Sequence, residues 1–147
     1  MKIVSLKENI VWLEKYVALR NQYAKALFSS EMKSDETKDW LKNRDVEVLI
    51  AIENDMLLGV GILYLNKKGE ITLFVKKPNQ GIAKLLLEKL QDYAHQKNLL
   101  ELWAWVHDEN EASQKFFIKN GFIDFSKENK TVNTTTYSGI IYKYRLD

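Results

Sequence analysis

The sequence predicts an α+β fold: a mixed, mostly antiparallel central sheet of about seven strands flanked by about four helices. Three observations carry that prediction. The β-rich runs VEVLIAIE, LLGVGILYL and EITLFVK follow one another with only short turns between them, which suits antiparallel pairing. Apolar residues recur at helical spacing in segments before and after these runs. The element order is strand, two helices, three strands, helix, strand, helix, two strands, an arrangement that builds one sheet with helices packed on it.

Each element has its own signal. Met1 to Leu6 alternates apolar and polar residues and reads as a first strand. Trp12, Leu13, Tyr16, Val17 and Leu19 recur at helical spacing, predicting an amphipathic helix over about residues 8–21. Ser34 followed by Asp35 and Glu36 is a helix start, because a hydroxyl cap and early acids suit exposed amides; this helix runs to about Lys42. Asn54-Asp55 turns the first β-run into the second, and Asn66 to Gly69 turns the second into the third. Residues 81 to 95 form a helix with Ile82, Leu85, Leu86, Leu90 and Tyr93 on its buried side. LLELWAWV is a strand, and residues 111 to 119 a short helix that stops at Asn120-Gly121. FIDFS and TYSGIIYKYRL close the chain as two strands.

Composition narrows the function classes. The 147 residues, 46% of them apolar, suit one domain spanning 1–147 with a sizeable core. With 22 basic and 20 acidic side chains the net charge is +2, too even for the basic stripe that nucleic acid requires. Cysteine is absent and histidine occurs twice, so neither a disulfide framework nor a metal centre is expected. The N-terminal segment has no long apolar run after a basic head, and no stretch approaches a membrane span, so a cytoplasmic protein is expected. The closing β-run GIIYKYRL could pair between subunits in a homodimer.

The chemistry begins at VKKPNQGIAKLLLEKL, where a strand breaks at Pro78 and has become a helix just past Gly81. A strand entering a helix through a glycine leaves amides without intrahelical partners, and the helix dipole adds partial positive charge there. Gly81 and Ala83 lack bulk, and Lys76, Lys77 and Lys84 add charge, so the junction suits a phosphate group. A second segment, WVHDENEASQKFFIKNGF, sets Asn110 after a strand, then Ala112, Phe116-Phe117 and Asn120-Gly121-Phe122.

Together the two segments resemble the GNAT acetyltransferase superfamily, and the element order agrees across nearly the whole chain. In that family a Gly-x-Gly/Ala turn holds the coenzyme A diphosphate, and a later Asn-x-x-Ala segment ends in Gly-Phe. Gly81-Ile82-Ala83 matches the first; Asn110, Phe116, Phe117, Gly121 and Phe122 match the second, with Ala112 one position early. The resemblance implies that acetyl-CoA is the acyl donor. Lys77, Asn79, Gln80, Gly81, Ile82, Ala83 and Lys84 would surround its diphosphate, while Leu73, Phe74 and Val75 would offer main-chain groups to pantetheine. Two departures stand out. Pro78 occupies the place of an Arg or Gln, and its loop is about two residues short, which leaves Gln80 or Lys77 to compensate. Phe117 occupies the place of a tyrosine that protonates the departing thiolate; Tyr64 and Tyr137 are candidate substitutes.

Acetyl transfer to an amine also needs a proton acceptor beside the thioester. Strand alternation places Glu101, Trp103, Trp105 and His107 on one face, a row that would line an acceptor pocket with aromatic walls and a base. Alternatively, the tryptophans pack under the first two helices and Glu101 lies in solvent. Glu70, which opens the strand before the diphosphate turn, is a third possible base. Arg20 and Asn21, at the end of the first helix, resemble a polar pair that shapes the acceptor side in some family members. Arg20 would suit an acceptor phosphate or carboxylate. The polar segment KENKTVNTTT, residues 127–136, is expected to be a mobile lid. The leading function is therefore an acetyl-CoA-dependent N-acetyltransferase working by direct attack of a primary amine on a small molecule such as an amino sugar. The alternatives are a peptide or protein acceptor, or a non-catalytic acyl-CoA-binding module.

Overall fold

A computed structural model describes residues 1–24, 31–78 and 80–146. The chain begins with β1 (Lys2–Ser5), a 3₁₀ turn (Ile10–Trp12), α1 (Leu13–Gln22) and α2 (Ser34–Trp40). It continues through β2 (Val46–Glu53), β3 (Met56–Tyr64), a second 3₁₀ turn (Leu65–Lys67), β4 (Glu70–Val75) and α3 (Ile82–Gln96). After α3 come β5 (Glu101–His107), α4 (Glu111–Lys119), β6 (Ile123–Lys127), β7 (Lys130–Val132), β8 (Thr135–Tyr137) and β9 (Gly139–Arg145). A seven-stranded sheet runs in the order β1-β2-β3-β4-β5-β9-β6, and β7 and β8 form a separate hairpin. Every pairing in the large sheet is antiparallel except β4 with β5. The α+β class with a mostly antiparallel seven-stranded sheet and four helices is therefore the observed architecture.

Local chemistry explains the turns. Asn54 and Asp55 both take left-handed backbone angles, φ 48° and 63°, as a tight hairpin matched to strand twist requires. Asn133 and Thr134 do the same at φ 50° and 71°, closing the β7–β8 hairpin inside the segment expected to be a lid. The first helix is shorter than the apolar spacing suggested, because residues 10–12 wind as 3₁₀ before α1. Ser34 does not cap α2. Lys33 holds the cap position, and the buried Thr37 hydroxyl donates back to the Lys33 carbonyl at 2.9 Å.

Packing separates the two faces of the sheet. α1 and α2 cover β2 and β3 over a core of Leu13, Tyr16, Val17, Leu41, Val48 and Val60. On the opposite face, α3 buries Ile82, Leu86, Leu87, Leu90 and Ala94; Leu85, expected inside, is 41% exposed. α4 adds Phe117, which meets Phe122 of the following turn and Tyr142 of β9. Strand β5 divides as its alternation requires, with Leu102, Ala104 and Val106 buried beneath α3 and α4. Its other row, Glu101, Trp103, Trp105 and His107, is half-buried. Among the described residues no helix is long and apolar enough to cross a membrane, and no group of three or more His, Cys, Asp or Glu side chains could hold a metal ion.

Candidate active site

The site follows from one break in the sheet. β4 is fully registered against β3 from Glu70 opposite Tyr64 to Val75 opposite Gly59. The Lys76 amide donates to the Leu58 carbonyl at 2.8 Å, which sets the parity of that ladder. Thr72 and Phe74 therefore bond to β3, and the main-chain groups of Ile71, Leu73 and Val75 face β5. On that side β5 joins at a single point, Glu70 opposite Trp103, with the Trp103 amide donating to the Gly69 carbonyl at 3.0 Å. Beyond this point the parallel strands part, and a cleft of about 390 Å³ opens between Leu73–Val75 and Ala104–Val106.

One end of the cleft leads toward α3. Gly81 caps that helix with φ 74° and ψ 3°, a left-handed conformation that an L side chain adopts only under strain. The Leu85 amide bonds to the Gly81 carbonyl at 3.2 Å, so the amides of Ile82, Ala83 and Lys84 precede the helical ladder and have no acceptor within it. Nothing lies within 4 Å of a Cβ placed on Gly81, so the junction opens to solvent. Lys77, Gln80 and Lys84 are exposed around it. Pro78 lines the cleft itself. Asn79, expected here, lies outside the described residues.

Two residues expected to face the donor do other work. Phe74 turns its main chain to β3 and buries its ring at 5% exposure beside Tyr23. Asn110 caps α4, its Oδ1 accepting from the Ser113 amide at 3.1 Å, although it also lines the cleft. Phe117 forms part of the cleft wall at 6% exposure, whereas Phe116 packs edge-on against it from outside. Tyr23 was not legible in the sequence. Its hydroxyl donates to the Val75 carbonyl at 2.5 Å from across the cleft mouth, and only its position just past α1 could have pointed to it.

The acceptor row of β5 is split. Trp105 and His107 line the cleft together with Glu70 of β4. Glu101 and Trp103 line a separate depression of about 420 Å³, where Glu101 pairs with Lys143 at 3.1 Å. There the Trp103 indole N–H donates to the Lys67 carbonyl at 2.8 Å. Neither tryptophan packs under the first two helices. The β7–β8 hairpin docks on this face instead: the Trp105 indole donates to the Glu128 carbonyl at 2.7 Å, and the Lys130 ammonium lies 5.2 Å from the Trp105 ring centre. Tyr137, paired with Lys130 across the hairpin, meets the His107 ring edge-on at 5.7 Å. The segment expected to be a lid thus forms a β-hairpin that contributes Lys130 to the cleft wall.

Arg20 and Asn21 do not line the cleft. Asn21 clamps Met32, donating to its carbonyl and accepting from its amide, each at 2.9 Å. Arg20 lies close to the hydroxyls of Tyr16 and Tyr64. Burial first, and then the charge of Glu70, push the Tyr64 phenol above its ordinary range, so it stays protonated.

Residues 12–122 match the model of the acetyltransferase (GNAT) family. The chain belongs to the GNAT family. It is similar to a spermidine N(1)-acetyltransferase of Thermoplasma acidophilum, 26% identical over 118 residues that span 76% of this chain and 70% of that one. The same fold occurs in the ribosomal-protein-alanine N-acetyltransferase from Brucella melitensis, with TM-score 0.86, 18% identity, and 99% and 100% of the two chains covered. It occurs again in yncA, a putative acetyltransferase from Salmonella typhimurium solved with its cofactor acetyl-CoA, with TM-score 0.83, 16% identity, and 99% and 94% coverage. As a GNAT member the protein is an acetyl-CoA-dependent N-acetyltransferase. A left-handed glycine before free helix amides, and a strand edge where Leu73 turns its main-chain groups to the cleft while the Val75 carbonyl accepts from Tyr23, fit a donor that has a diphosphate and an amide-bearing arm.

Proposed function

We propose that the cleft between β4 and β5 transfers acetyl from acetyl-CoA to a small-molecule primary amine, with Glu70 as the base. The observation that carries this reading is the parting of β4 from β5 immediately after Glu70. Val75 lies five residues beyond Glu70, roughly 16 Å of strand at the usual rise. A diphosphate held at the first turn of α3 therefore sends an extended pantetheine back along Leu73 and Val75, and its thioester arrives at the apex. Glu70 is the carboxylate at that apex. His107 lies at the other end of its strand, close to the mouth, and Glu101 lies outside the cleft, held by Lys143 at 3.1 Å, a closer pairing than the 3.8 Å between Glu70 and Lys67.

In the reaction Glu70 takes a proton from the acceptor ammonium, directly or through a water, and the freed nitrogen attacks the thioester carbonyl. The new C–N bond forms as the C–S bond breaks, coenzyme A leaves as a thiolate, and the second proton that the nitrogen loses on becoming an amide passes through water to that thiolate. No cysteine occurs among the 147 residues, so no thiol carries the acetyl group between donor and acceptor. Phe117 gives the thiolate no proton, and the raised affinity of the Tyr64 phenol for its proton makes that group a poor donor. A thiol is far more acidic than an alcohol, so the thiolate leaves without a general acid and takes its proton through water. The name of the Thermoplasma relative supports a small-molecule amine over a peptide.

Glu70→Gln should lower kcat by about 10²–10⁴-fold while leaving the KM for acetyl-CoA within a small factor of wild type. Initial rates of thiol release, measured for Glu70→Gln and His107→Gln in parallel, provide the test. A large loss in His107→Gln with little change in Glu70→Gln would move the base to His107.

A further inference from the structure

Lys130 is a cation inside the cleft that the transfer reaction does not use. It is half-buried, it lines the cleft that contains Glu70, Trp105 and His107, and its Nζ rests 5.2 Å from the Trp105 ring centre. Among the described residues no carboxylate forms an ion pair with it. Its ammonium is held below the ordinary lysine range, first by burial and then by repulsion from Lys67, while Glu70 opposes both effects. Trp105, whose ring the Lys130 ammonium faces, stands two residues past Trp103, the residue bridged to Glu70, so Lys130 lies near the apex rather than at the helix end proposed for the diphosphate.

The charges of the cleft have a consequence for the acceptor. Glu70 is the only carboxylate among the described residues that line it, and Lys130 the only ammonium. A polyamine brought to Glu70 would set its remaining ammonium groups near Lys130 with no carboxylate to receive them. An amine carrying its own anion satisfies both ends, its nitrogen at Glu70 and its anion at Lys130, and it ends the isolation of a half-buried cation.

Building on the transfer reaction proposed above, we infer that the acceptor is a primary amine bearing a carboxylate or phosphate, and that Lys130 selects it by binding that anion. This is the role that the sequence suggested for Arg20, which instead packs beside Tyr16 and Tyr64. The site depends on the hairpin: Lys130 sits opposite Tyr137, and the Trp105 indole bonded to Glu128 holds the hairpin root in place.

The test compares acceptors with and without an anion: phenylalanine with phenylalaninamide, whose amine is also the less basic, and glucosamine 6-phosphate with glucosamine, with spermidine alongside. Thiol release at saturating acetyl-CoA gives kcat/KM for each. Wild-type protein should favour one anionic member over its neutral partner by about 10–100-fold, and the favoured pair tells carboxylate from phosphate. In Lys130→Gln that ratio should fall toward one, with the loss mainly in acceptor KM, and Lys130→Arg should restore it. The inference is overturned if the neutral partners or spermidine match or exceed the anionic amines, or if Lys130→Gln keeps the wild-type ratio. Turnover of spermidine alone would end the inference and leave acetyl transfer standing. Binding of acetyl-CoA with no thiol released by any amine would end both. Should Lys130→Gln fail to fold, the wild-type ratios decide.

Discussion

Tyr16 of α1 is fully buried, and its hydroxyl finds no hydrogen-bond partner of regular geometry among the described residues. Arg20 is near enough to offset part of that cost electrostatically, but burial dominates and holds the phenol far above its ordinary range. Below about pH 10 folded and unfolded chains both keep the phenol proton, so the contribution of the group is whole. As pH rises further the unfolded chain ionises first, and stability falls because the folded state cannot release its proton. Tyr64 acts in the same direction. Tyr16→Phe removes a buried hydroxyl that Arg20 satisfies only in part and should be neutral or stabilising by about 1 kcal/mol near pH 8. The gain should grow toward pH 11, as urea unfolding at the two values would reveal. A loss above 1 kcal/mol would mean that Arg20 satisfies the hydroxyl after all.

The β7–β8 hairpin was not legible in the sequence. Elements with strong periodicity or known turn chemistry were legible: the alternation of β5, the Asn54-Asp55 turn, and the helix entered through Gly81. KENKTVNTTT offers neither an apolar row nor a glycine, and its turn relies on Asn133 and Thr134 holding φ values that threonine seldom adopts. What stabilises the hairpin is tertiary contact with Trp105 and His107, which local pattern does not encode. For the same reason the sequence showed the row of Glu101, Trp103, Trp105 and His107 but not its division between two depressions. Gly139 supports this docking. It lies opposite His107 in the β5–β9 ladder, and a Cβ added there would overlap the Trp105 indole. Gly139→Ala should displace that ring, cost about 1–3 kcal/mol as overpacking does, and raise the acceptor KM more than the acetyl-CoA KM. Denaturant unfolding and steady-state kinetics would check both effects; an unchanged acceptor KM would detach the hairpin from acceptor binding.

At the scale of the whole molecule, the sheet consists of β1–β4 and β5-β9-β6 joined by one bridge at Glu70 and Trp103, with α3 packed across both parts. A coenzyme lying in the cleft would connect main-chain groups that the protein leaves apart, so its binding should appear as added stability of the entire fold. At a concentration of 100 times its Kd a ligand specific for the folded state adds about 2.7 kcal/mol. For a chain of this size that corresponds to a rise in Tm of roughly 5–10 °C. Gly81 separates the two ways this could fail. Gly81→Ala introduces a side chain at φ 74°, so it should lower the basal Tm through backbone strain of about 1–2 kcal/mol. It adds no charge and projects into open space, so most of the shift with coenzyme A should survive. Gly81→Glu carries the same strain and sets a carboxylate beside the amides of Ile82 to Lys84, so its basal Tm should match Gly81→Ala while its response to coenzyme A disappears. Melting curves of the three proteins with and without coenzyme A distinguish strain from binding. An undiminished shift in Gly81→Glu would remove the diphosphate from the N-terminus of α3, and with it the path along β4 that leads the thioester to Glu70.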